Sequence, residues 1–182
     1  VSAYVLLVML IGGRIIPSFT RNWLNRMGAK RFPVPFNRYD GLAVLVGAIA
    51  CVSWIVVPEH SLTAVIAIIA AGLHIVRLYR WRGWSVANDK LVLVLHVAYV
   101  FVPAGFVAIA LAALEQRNPF SALHVMTVGV IGCMMLAVMT RATRGHTGRE
   151  LVASPTTQIA YLCLILSALI RPFAEMMPNF FH

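Results

Sequence analysis

Apolar residues follow one another along this chain in long unbroken runs separated by short polar stretches. The runs show neither the strict alternation of a half-buried strand nor the one-sided stripe of a soluble helix. Crossing about 30 Å of hydrocarbon as a helix takes roughly 20 such residues, fewer where flanking side chains reach back to water. Six runs approach or exceed that length, at 1–16, 41–57, 62–79, 91–114, 119–140 and 155–171. The fourth and fifth are free of charge over 24 and 22 residues. Ser154-Pro155 opens the sixth with a capping hydroxyl and a proline at the first helical position. The pattern predicts an all-α, polytopic transmembrane bundle, one domain over 1–182 with six spans. Small residues at Ala64, Ala67, Ala71 and Gly72, and at Gly129, Gly132 and Cys133, mark faces where helix backbones can approach closely in lipid. Pro103 with Gly105 is expected to kink or loosen 91–114.

Composition supports lipid as the solvent: 60% of residues are hydrophobic and 12% charged. A net charge of +9 could suggest nucleic acid, but the basic residues sit between apolar runs rather than on one folded surface. Nucleic acid is excluded as a partner on that ground. Cys51, Cys133 and Cys163 each fall mid-run with no metal-ligand spacing, as buried small hydrophobes do. The chain opens at Val1 inside an apolar run, without a leader-type pattern, and is expected to be part of a longer protein.

Charge then sets orientation. Thirteen of the 15 basic residues lie in or beside three connections, 17–40, 77–90 and 141–154. Such loops stay in the cytoplasm, so both ends of the chain are expected on the opposite side of the membrane. In 17–40, Phe19, Trp23, Leu24 and Met27 share a face opposite Arg21, Asn25, Arg26 and Lys30, as in a helix lying on a membrane surface. Tyr79, Trp81 and Trp84 among arginines read as headgroup anchors, and Arg77 as a side chain reaching from the helix end to the headgroups.

Ionisable groups at membrane depth are functional candidates. His74 and His96 fall at similar depths on consecutive antiparallel segments, where two imidazoles could hold a haem iron between them. The competing reading is a pair of histidines hydrogen-bonded to backbone, hydroxyls or each other, and Tyr99 suits either. His124 lies near the other end of its helix, too far to share that iron. With Met126, Cys133, Met134, Met135 and Met139 on the same run it offers soft donors of the kind copper(I) takes, against a plain reading as adaptable packing. At the expected cytoplasmic mouth, Arg141, His146, Thr147 and Arg149 gather, and Arg14 arrives from the first span. Guanidinium, hydroxyl and amide donors around an apolar mouth suit carboxylate or phosphate, haem propionates among them. Lipid phosphates answering topology-setting arginines is the plainer alternative.

Three stretches carry a resemblance: GGRIIPSFTRNWL (12–24), LHVAYVFVPAG (95–105) and ALHVMTVGVIGCMMLAVMTRATRGHTGR (122–149). Together they resemble the NnrS family, bacterial polytopic inner-membrane proteins linked to the nitric oxide response and described as binding haem and copper. The resemblance implies a bundle of about twelve spans, with this chain as its C-terminal half. Arg14, Pro17, Phe19 and Thr20 fall on the first motif, and His96, Tyr99, Pro103 and Gly105 on the second. His124, Thr127, Gly129, Gly132, Met139, Thr140, Arg141, Thr143, Gly145, His146, Thr147, Gly148 and Arg149 fall on the third. Arg144 departs from the expected leucine. The family's WHAHE motif does not occur in this sequence, so a site shared between two halves would be incomplete here.

The resemblance implies a haem- and copper-associated membrane protein of the nitric oxide or nitrosative-stress response, with nitric oxide or nitrosylated iron as partner. His74, His96 and His124 are the expected metal ligands. Tyr99, Arg14, Arg141, His146, Thr147 and Arg149 are further cofactor contacts. The lipid bilayer and the other half of the chain are the remaining expected partners. A transporter or permease for a small anion or proton is the competing function, and a scaffold whose basic loops dock a cytoplasmic partner a third. The six acidic residues all stand at run ends, and no catalytic constellation is identified.

Overall fold

The computed structural model describes residues 1–115 and 120–176. Within them the chain is helical, with no strand, in the order α1 (Ser2–Arg26), α2 (Arg38–Val56), α3 (Ser61–Arg80), α4 (Lys90–Glu115), α5 (Phe120–His146) and α6 (Pro155–Met176). The first five are long and apolar enough to cross a membrane, and the described part of α6 holds a shorter apolar helix, Pro155–Ile170. Outward faces carry aliphatic side chains such as Leu45, Ile55 and Ile68, each at least half exposed. Apolar patches of that extent are at home against acyl chains. The membrane-bundle expectation holds.

Local chemistry starts and stops the helices. Asn37 and Asp40 form a reciprocal cap on α2: Tyr39 N–H donates to Asn37 Oδ1 at 3.0 Å, and Asn37 N–H to Asp40 Oδ2 at 3.1 Å. His60 caps α3 through Leu62 N–H, Asp89 caps α4 through Leu91 and Val92 N–H, and Ser154 caps α6 through Thr157 N–H. The Thr63 hydroxyl donates to the Val57 carbonyl and pairs with Ser53 Oγ, which closes the α2–α3 hairpin without an orphaned polar group.

At the centre stands α4. It touches α1, α3, α5 and α6, and its interface with α3 is the most extensive in the bundle. Ala64, Ala67, Ala70 and Ala71 form the buried face of α3, so the expected small-residue contact is present. Gly72 is the exception, since it points to open space. Pro103 lies inside α4 without ending it. Gly105 and Gly129 admit neighbouring side chains, because a Cβ there would stand 2.7 Å from Met126 Sδ and from Phe101 Cδ1 respectively.

Several local expectations change in three dimensions. The amphipathic segment after residue 16 is not a separate surface helix, because α1 continues through Pro17 to Arg26. Proline removes one backbone donor, but the amphipathic face is used for packing: Leu24 is buried and Phe19 lies under the Arg141 guanidinium. The basic stretches at 77–80 and 141–146 are likewise helix ends rather than loops. Tyr79 and Trp84 point outward as anchors, whereas Trp81 is buried. The middle of α5, Val125–Gly132, is wound as a π-helix. Wider turns of this kind are rare and cluster at functional sites.

Candidate functional site

Two polar assemblies lie at the basic end of the bundle. The first is internal. Arg77, expected to reach headgroups, instead turns inward with no exposure at all. Its Nε donates to Asp40 Oδ1 at 2.7 Å, and its Nη1 donates to the Met9 carbonyl at 2.8 Å and to the Tyr99 hydroxyl oxygen at 2.6 Å. Tyr99 is thereby left to donate its own proton to His74 Nδ1, 3.0 Å away. Arg80 adds a second guanidinium 3.7 Å from the other Asp40 oxygen. One carboxylate caps α2 and neutralises an arginine at membrane depth, and the chain Asp40–Arg77–Tyr99–His74 binds α1, α2, α3 and α4 together. A charge left alone in this setting would be costly, which accounts for so many partners.

His74 and His96 do not face each other. The His74 ring stacks on Phe106 with centroids 5.7 Å apart, while His96 Nε2 pairs with Thr20 Oγ1 of α1 at 2.8 Å. Between the two imidazoles stand Tyr99 and Trp81, in edge contact with ring centroids 4.6 Å apart. His96 Nδ1 abuts Gly83, where a Cβ would lie 2.8 Å away, and His74 Nε2 abuts Gly47 at 3.2 Å. A porphyrin held by both residues does not fit, since packed aromatic side chains occupy the intervening space. His124 stands apart from both, its Nε2–H donating to the Ser167 carbonyl at 3.0 Å and so joining α5 to α6. Met135 and Met139 face outward, and among the described residues no three His, Cys, Asp or Glu side chains converge on one point.

The second assembly is a cleft of about 910 Å³ between α1 and the last turns of α5. Ile11, Ile15, Val138 and Leu151 give it apolar walls. Asn22, Asn25 and Arg26 from α1, and Arg141 and His146 from α5, supply the polar rim. Arg141 is only 7% exposed. Its guanidinium carbon lies 4.4 Å from the centre of the Phe19 ring, its Nη1 is 3.9 Å from Asp89 Oδ2, and that Nη1 makes no hydrogen bond. A nearly buried guanidinium with a free donor, set in a cavity within the roughly 300–1,000 Å³ range of small-molecule sites, suits an anionic group attached to an apolar body.

Of the remaining expected residues, Arg14 lies in a separate notch on another face of α1. Thr147 bonds back to the Thr143 carbonyl, and Arg149 is exposed after Gly148, whose φ of +65° ends the helix. The structure thus brings together Arg141 and His146, and brings Tyr99 to His74. It leaves His96, His124, Arg14, Thr147 and Arg149 apart from these. Sequence reasoning missed Asp40, Asp89, Asn22, Asn25 and Arg26. A usable signal existed for the first: an arginine inside a span needs a counter-charge, and Asp40 is the only acid between 1 and 58.

Nothing matches this chain among curated proteins or among solved structures. One family model, described as NnrS protein, matches residues 1–182.

Proposed function

The chain belongs to the NnrS family, and from that premise we propose that this nitric-oxide-response-related membrane protein takes up haem at the cleft between α1 and α5. The observation that carries this reading is the meeting, in one cavity, of an imidazole, two guanidiniums and aliphatic walls. Haem needs all three: an axial nitrogen, cations for its propionates and an apolar wall for the ring. His146 would hold the iron, and Arg26 and Arg141 the propionates, with the Arg141 plane set by Phe19. Ile11, Ile15 and Val138 would keep water from the ring face. Bound there, haem supplies an iron at which nitric oxide can coordinate. Copper has no part in this reading: Met135 and Met139 face outward and His124 is engaged with the Ser167 carbonyl.

The test is optical. Full-length protein carrying His146→Ala is expected to lose or strongly shift its Soret band and the change that nitric oxide induces in it. Arg141→Gln should weaken haem retention at least tenfold while His74→Phe leaves the spectrum in place. A band that survives His146→Ala and disappears in His96→Ala would overturn the assignment to the cleft.

A further inference from the structure

We propose that the notch between α1 and the segment 33–36 is a binding site for the phosphodiester headgroup of an anionic phospholipid. It lies on a different face of α1 from the α5 cleft, shares no lining residue with it, and does not depend on the reading given above. Arg14, Ser18 and Arg21 stand at helical spacing on one exposed face, and Pro33, Pro35 and Phe36 roof them over a volume of about 490 Å³. The roof is fixed by two prolines and by Val34 N–H donating to the Arg80 carbonyl at 3.3 Å.

Stacking sets the two guanidiniums. Arg14 lies 5.3 Å from the centre of the Phe36 ring and Arg21 5.6 Å from that of Phe32. Their faces are covered by rings, while their N–H edges, the groups that bond phosphate in pairs, have no carboxylate partner among the described residues. The chain has 15 basic residues against six acidic ones, so a counter-anion has to come from outside.

Depth identifies the source. Phe36 immediately precedes the Asn37 cap of α2, and the same level holds the end of α3 at Arg80, so Arg14 marks the edge of the hydrocarbon. From Arg14 to Arg21 the helix rises about 10 Å, comparable to the roughly 5–8 Å headgroup layer on each side of a bilayer. The volume admits a headgroup and leaves the acyl chains alongside the exposed face of α1 formed by Leu7 and Leu10. A soluble phosphate would need no such alignment with the membrane edge.

The experiment is a lipid titration of the full-length protein in detergent, read by native mass spectrometry. Phosphatidylglycerol is expected to bind at least tenfold more tightly than phosphatidylcholine. Arg14→Gln with Arg21→Gln should abolish that preference, and Arg14→Lys with Arg21→Lys should keep most of it. Ser18→Glu, at an exposed position where folding is not at stake, should also abolish it by placing a negative charge in the notch. Equal binding of the two lipids, or an unchanged preference in both the double glutamine and the Ser18→Glu proteins, would overturn the site. Displacement of phosphatidylglycerol by millimolar inorganic phosphate would overturn the lipid as its occupant.

Discussion

Replacing Asp40 by alanine is expected to be among the most damaging single changes in this chain, costing about 3–5 kcal/mol, because it leaves a buried cation without its anion. Arg77 has no exposure and no route to water that keeps its bonds to the Met9 carbonyl and Tyr99. Arg80 loses its partner at the same time, although it can move to the headgroups. The Asn37 N–H, which Asp40 accepts as part of the α2 cap, is left open as well. Thermal unfolding of the purified protein, followed by circular dichroism, measures the loss. A double replacement, Asp40→Leu with Arg77→Met, should recover most of it, since removing both charges removes the desolvation cost along with the attraction. If Asp40→Ala proved neutral, Arg77 would have to find water or another anion, and the internal network described above would be wrong.

Gly13→Ala is expected to rank close behind, at about 2–4 kcal/mol, the range of an overpacked core combined with a broken buried hydrogen bond. A Cβ at this position would stand 1.8 Å from Arg77 Nη2 and 2.5 Å from its Cζ, so the guanidinium has to leave. Its departure breaks the bonds to Asp40, Met9 and Tyr99 together. The comparison is Gly41→Ala in α2, where nothing lies within 4 Å. There the change should be neutral or stabilising by up to about 1 kcal/mol, because alanine is the better helix former. Equal unfolding temperatures for the two alanine proteins would sink the argument. A loss that appears at Gly13 and not at Gly41 isolates the effect to the arginine rather than to helix propensity.

Both predictions depend on contacts that a reading of the chain could only partly anticipate. His74 was legible as a polar group at depth, since hydropathy places it within a span, whereas Arg77 at a span's end read as reaching the headgroups. Their partners were not legible. Tyr99 lies 22 residues from Arg77 and Asp40 lies 37 away, and nothing in the spacing says which faces of α2, α3 and α4 meet. The histidine pair shows the same limit. The helices were read correctly as neighbours, but His74 packs level with Tyr99 and Phe106 while His96 sits nearer the basic end, against Gly83 and Thr20. The cleft was legible by half. The cluster after Met139 announced donors for an anion, but the other wall is α1, whose residues 22–26 read in isolation as a surface helix.

Order along the chain was sufficient to determine the solvent, the number of apolar runs, the Ser154 cap and the gathering of basic residues at one end, because each follows from local hydropathy, spacing or charge. Which polar atoms bond to which, whether Arg77 turns inward or out, and whether two imidazoles share a cavity were decided only by tertiary packing. In lipid all outward faces are equally apolar, so hydropathy cannot say which side of a helix meets its neighbour. Shape and a few buried hydrogen bonds make that choice.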